Sequence, residues 1–139
     1  MERLRFTLSF LALGLAASLA MSCGASQGQS QLQSVTLSPA TADAQDYPNG
    51  QVQFTATGLY NNPSRTVTPL QATWGACYQI STTSAVSVTR EGLAQCAPGA
   101  TGTYTIWANA PVDINSGCPA ITACGGGCTV EGNAQLTCP

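Results

Sequence analysis

Apolar and polar residues alternate along most of the chain from residue 33 onward. In "SVTLSP" the apolar residues Val35 and Leu37 fall on one face, and the hydroxyl residues between them fall on the other. In "GQVQFTATGLY" the inward positions are Val52, Phe54 and Ala56. Successive side chains of a strand point to opposite faces, so this alternation predicts half-buried β-strands.

The same pattern recurs in "RTVTP", "ATWG", "AVSVT", "GLAQC" and "GTYTIWANA", and in the last of these Tyr104, Ile106 and Ala108 share a face. Turn signals separate these runs: "YPNG" at 47–50, "NNPS" at 61–64, "REG" at 90–92 and "APGATG" at 97–102. No sustained helical period occurs after residue 33. Short strands at this spacing predict an all-β fold, a β-sandwich.

The ordered set of these segments over residues 33–110 resembles the bacterial immunoglobulin-like domain group 2. The matching positions are Val35, Leu37, Gly50, Phe54, Ala56, Trp74, Val86, Val88, Gly92, Leu93, Gly102, Ile106 and Ala108. The resemblance implies an immunoglobulin-like sandwich with a buried Trp74, serving as a spacer or binding module outside the cell. Cys77, Cys96 and residues 111–139 depart from the family pattern, and fold by itself does not fix function.

The chain begins with a basic start, "MERLR", and an apolar run from Phe6 to Leu19. This pattern predicts a signal peptide over residues 1–22 rather than a spanning helix, which needs about 20 apolar residues. The run ends at Cys23 in a stretch that resembles the lipobox of bacterial lipoproteins, with Ala20 and Met21 as departures. We therefore expect lipidation of Cys23; the alternative is an ordinary secreted protein with a Cys23 thiol.

Residues 23–32 are polar, uncharged and rich in Gly, Ser and Gln, which predicts a flexible tether. From residue 23 onward the chain carries two arginines against five acidic residues, a net side-chain charge of −3, and no lysine or histidine. With no basic patch, we expect no nucleic-acid partner.

Cysteines are the most informative residues for the compartment. If Cys23 carries a lipid, six cysteines remain, an even number that predicts disulfides in an oxidising compartment. They are Cys77, Cys96, Cys118, Cys124, Cys128 and Cys138. Spacing favours Cys77–Cys96, together with Cys128–Cys138 and Cys118–Cys124. Cys118–Cys128 with Cys124–Cys138 is the alternative for the last four.

The cysteine-rich extension, residues 111–139, ends in "CTVEGNAQLTC". We expect this stretch to form a short disulfide-rich hairpin with "EGN" as its turn, or to supply the last strand of the sandwich. Zinc-knuckle CxxC spacing is absent, and exported cysteines oxidise, so we predict no metal site and no cofactor.

Histidine is absent from the sequence, which excludes His-dependent nucleophilic triads. We expect a non-catalytic protein, exported and lipid-anchored in the bacterial cell envelope, that serves as a structural or adhesion module. The alternative is an accessory domain that binds a surface glycan or protein through loops and exposed aromatic residues. Trp107 is its candidate ligand-binding residue, because it lies on the face opposite Tyr104 and Ile106; the alternative for Trp107 is coverage by the cysteine-rich end.

Overall fold

The computed structural model describes residues 30–113, 124 and 129–139, and this part of the chain is built from strands. No helix long and apolar enough to cross a membrane occurs among these residues. The strands are β1 (Leu32–Ser38), β2 (Thr41–Asp43), β3 (Gln51–Gln53), β4 (Thr55–Tyr60), β5 (Arg65–Val67), β6 (Thr73–Tyr78), β7 (Ser81–Thr82), β8 (Val86–Val88), β9 (Leu93–Cys96), β10 (Gly102–Pro111) and β11 (Thr129–Cys138). Two 3₁₀ turns, Ala44–Asp46 and Pro48–Gly50, connect β2 to β3.

These strands form two packed layers, and the predicted all-β sandwich is confirmed. One layer is a five-stranded sheet in the order β2-β11-β10-β6-β7. The other layer consists of two three-stranded sheets, β1-β4-β5 and β3-β9-β8. β1 packs on β10 and β11, and β8 lies against β6, so both small sheets face the large one.

The second layer changes partners at Phe54. Before this residue, Gln53 pairs with Leu93 of β9; after it, Thr55 pairs with Ser38 of β1. The Phe54 amide donates to the Gly92 carbonyl oxygen at 2.9 Å, so the backbone stays hydrogen-bonded at the switch. One run of chain thereby joins the two small sheets and brings the 89–92 loop beside β4.

The core lies between the layers and is formed by the residues that the alternation placed inward. Val35, Leu37, Val52, Phe54, Ala56, Tyr104, Ile106 and Ala108 are all buried. Leu136 of β11 and Leu32 at the start of β1 are also fully buried. The period-two prediction is therefore confirmed for the faces of these strands.

The "EGN" turn expected within the extension is wrong. Residues 129–138 form one continuous strand that pairs with β10 along its whole length, from Thr129 opposite Pro111 to Cys138 opposite Gly102. Gly132 lies on the inner face opposite Ala108. There it faces β1, where an added Cβ would lie 2.7 Å from the Val35 carbonyl oxygen. Glycine is needed at this position for close packing of the layers.

The disulfide pairings also differ from the expected ones. Cys77 is bonded to Cys124, with Cα atoms 6.2 Å apart, and Cys96 is bonded to Cys138, at 5.9 Å. The predicted Cys77–Cys96 bridge is wrong, because each of the two cysteines is bonded instead to a cysteine of residues 111–139.

The Cys96–Cys138 bond also excludes Cys128–Cys138 and Cys124–Cys138, and the Cys77–Cys124 bond excludes Cys118–Cys124. An extended strand rises about 3.4 Å per residue, so Thr129 lies roughly 30 Å from Cys138. Closeness in sequence was therefore a poor guide to pairing. Cys23, Cys118 and Cys128 themselves lie outside the described residues.

Candidate functional site

A cleft of about 570 Å³ opens where the 53–56 run passes the loops that precede β6 and β9. Its volume falls in the range of about 300–1,000 Å³ typical of ligand sites. We call it the Trp74 cleft. It is lined by Gln53, Phe54, Thr55, Ala56, Pro69, Leu70, Gln71, Trp74, Arg90 and Glu91.

Trp74 is only half-buried, which corrects the expectation of a fully buried core tryptophan. Its indole packs against Gly92, where an added Cβ would lie 2.9 Å from Cζ2. A second hollow of about 520 Å³ shares Gln71, Trp74 and Arg90 with the cleft. Trp74 therefore lines two adjacent hollows, and the side chains of Gln71 and Arg90 border both of them.

Polar side chains stand at the rim of the Trp74 cleft on a tightly hydrogen-bonded loop. The Thr89 hydroxyl accepts hydrogen bonds from the amides of Glu91 (3.3 Å) and Leu93 (3.2 Å). Gln53 Nε2 donates to the carbonyl oxygens of Phe54 (2.8 Å) and Glu91 (2.6 Å). The loop is thus fixed at both ends, and it holds the exposed Arg90 and Glu91 beside the indole.

Arg90 forms no ion pair with any residue that the structure describes. The other arginine in the described ranges, Arg65, lies over the ring of Tyr60 with its Cζ 4.8 Å from the ring centroid. Of these two arginines, only Arg90 lines the Trp74 cleft, so its guanidinium is the one placed to meet an anion beside the indole. The sequence signal for this site was "REG", which we interpreted only as a turn.

Trp107, the residue predicted as a candidate ligand-binding platform, is 3% exposed. It lies on the outer face of β10, directly opposite Gly75 of β6. An added Cβ at Gly75 would meet the indole at 2.6 Å from Cε2, so the ring covers the glycine. Trp107 therefore offers no exposed surface for stacking, and the platform hypothesis for this residue is wrong.

Some polar side-chain atoms of β10 and β11 are buried and have no hydrogen-bond partner among the described residues. They are Trp107 Nε1, both amide atoms of Asn109, Thr129 Oγ1 and Glu131 Oε2. Asn109 and Glu131 are opposite each other on β10 and β11. In the described part of the chain, no group of three or more His, Cys, Asp or Glu residues is placed to hold a metal ion.

No protein-family model and no curated protein matches this chain. The resemblance to bacterial immunoglobulin-like group 2 domains over residues 33–110 therefore stays a prediction.

Proposed function

We propose that this protein is a non-catalytic module of the bacterial cell envelope, exported and held at the membrane by a lipid on Cys23. The observation that carries the proposal is the pair of disulfides, Cys77–Cys124 and Cys96–Cys138. Disulfides form and persist in oxidising compartments, so the domain matures outside the reducing cytosol. The apolar run ending at Cys23, followed by the polar tether, supports a lipid anchor as the means of retention.

In this proposal the sandwich serves as a structural or adhesion module on its tether. Its two layers are joined covalently at one end, because Cys96 closes β9 and Cys138 closes β11. A disulfide between the layers stabilises a small domain whose core contains many alanines and few bulky residues.

Fatty-acid labelling in a bacterial host tests the anchor. Wild-type protein should take up an alkyne-bearing fatty acid and partition into detergent, whereas Cys23→Ser should be unlabelled and released in soluble form. Ser22→Ala is the matched control and should be labelled as the wild type is. Equal labelling of wild type and Cys23→Ser would overturn the lipid anchor.

A second candidate function is that of an accessory binding domain for a surface glycan or protein. The Trp74 cleft favours it, because a partly buried indole, the Gln71 side chain and a guanidinium without an ion-pair partner among the described residues line it. In this version of the hypothesis, Trp74 takes the role first assigned to Trp107.

A further inference from the structure

We propose that the Trp74 cleft binds a carboxylate-bearing sugar of an acidic polysaccharide, with the pyranose ring on the indole of Trp74 and its carboxylate on Arg90. This inference rests on the second candidate function and names its ligand class. Three features of the cleft support this ligand: the shape around the indole, the charge at the rim and the hydrogen bonding of the neighbouring backbone.

Shape favours a chain of rings over a single small molecule. Trp74 lines both the cleft of about 570 Å³ and the neighbouring hollow of about 520 Å³. One face of a pyranose presents C–H groups and its edge presents hydroxyls, so it matches an apolar ring bordered by hydrogen-bonding side chains. Gln71 and Arg90 border both hollows, which allows them to contact adjacent sugar units.

Charge complementarity selects a carboxylate. Arg90 is exposed and has no ion-pair partner among the described residues, while Arg65 is stacked on Tyr60. A guanidinium binds a carboxylate through two parallel hydrogen bonds, which gives both strength and orientation. Glu91 stands beside Arg90 and repels an anion, so it lowers the affinity of the site for the same ligand.

The backbone beside the cleft argues against an extended peptide as the occupant. Thr55 is already paired to Ser38 of β1, and the Phe54 amide donates to the Gly92 carbonyl oxygen. The Leu70 amide donates to the Ala56 carbonyl oxygen at 2.8 Å. A peptide that recognises a sheet by adding a strand needs unpaired backbone groups, and this wall offers it none at these positions. Recognition therefore falls to side chains.

Isothermal titration of the full chain, purified in detergent, against polygalacturonate, dextran and poly-glutamate tests the proposal. The wild type should bind polygalacturonate and neither of the other two polymers. Arg90→Gln should weaken binding about tenfold or more, since a charged hydrogen bond is worth about 1.5–3 kcal/mol. Glu91→Gln should strengthen it, and Arg65→Gln, the matched control, should leave it unchanged.

Tryptophan fluorescence tests whether the indole of Trp74 contacts the sugar. Polygalacturonate should change the tryptophan emission of the wild type and leave that of Trp74→Phe unchanged, because Trp107 is buried and does not line the cleft.

Four outcomes would overturn the proposal: no binding of polygalacturonate, equal loss in Arg90→Gln and Arg65→Gln, dextran binding of equal strength, or poly-glutamate binding of equal strength. The last would show that the site recognises negative charge and not a sugar ring. Any of these results leaves the fatty-acid labelling of Cys23 unaffected, so the two proposals fail separately.

Discussion

Gly92 combines a backbone constraint and a packing constraint at a single residue. Its φ is +83°, in the left-handed region, and an added Cβ would lie 2.9 Å from the Trp74 ring. Gly99 has nearly the same backbone, with φ of +77°, but open space around it. The Cβ added at Gly92 would also lie 2.5 Å from the Phe54 carbonyl oxygen, so the two glycines separate the cost of conformation from the cost of contact with Phe54 and Trp74.

We expect Gly99→Ala to lower the free energy of unfolding by about 1–2 kcal/mol, the cost of a left-handed alanine. Gly92→Ala should lose about 1–3 kcal/mol more, because its methyl group would crowd the Phe54 carbonyl oxygen and the Trp74 ring. Urea denaturation of both variants measures the difference. Equal losses would show that the 89–92 loop does not pack closely against Phe54 and Trp74.

Phe54 and Thr55 are neighbours on opposite faces of the same run of chain. Phe54 is fully buried, so Phe54→Ala should lower the free energy of unfolding by about 3–5 kcal/mol. Thr55→Ala, on the cleft side, should cost about 1 kcal/mol or less. Similar losses at both positions in the same denaturation measurement would contradict the two-faced strand.

Gln53 shares the outward face with Thr55 but differs from it in its contacts. From the sequence, its replacement by alanine is expected to cost little. Its amide instead donates to two carbonyl oxygens, and each hydrogen bond contributes about 0.5–1.5 kcal/mol. Alternation identifies which side of a strand a residue occupies, but not whether its side chain returns to the backbone.

Among the elements, most strands were predictable from their alternation, and β2 and β7 were not. β1, β4 and β10 are long enough to show alternation, and their buried faces match it. β2 and β7 have three and two residues, and neither contains a large apolar residue that would indicate a buried face. They exist because neighbouring strands offer them backbone partners, which is information from outside their own sequence.

The turn expected within β11 was wrong because a glycine in a strand-like sequence can either form a turn or allow another strand to approach closely. In "EGN" we interpreted Gly132 as part of a turn, whereas it permits the close approach of β1 to β11. Gly75 has the same role beneath Trp107 on the outer face. Both contacts join residues far apart in sequence, so a single strand read alone cannot reveal them.

The two bridges join specific elements, and stability measurements can verify the pairing. We expect Cys77→Ser/Cys124→Ser and Cys96→Ser/Cys138→Ser each to remove one bridge and about 2–4 kcal/mol of unfolding free energy. Cys77→Ser/Cys96→Ser should remove both bridges and cost roughly the sum of these losses. If this mixed variant were only as destabilised as the other two, the pairing described here would be wrong.

At the scale of the whole molecule, seven cysteines must be accounted for together. Four are joined in two bridges, and lipidation of Cys23 would leave Cys118 and Cys128 as the last two. In an oxidising compartment we expect these two to pair, giving a third disulfide whose loop encloses Cys124. With this third disulfide, every cysteine of the sequence would be either bridged or lipidated.

Peptide mapping of the non-reduced, full-length protein tests this accounting in one experiment. It should return peptides that join Cys118 to Cys128 alongside the two described bridges, and a separate amino-terminal lipopeptide with Cys23. Alkylation of both Cys118 and Cys128 before reduction would contradict the third bridge. A disulfide between Cys23 and either of them would contradict the lipid anchor as well, because a sulfur already bonded to a lipid cannot also form a disulfide.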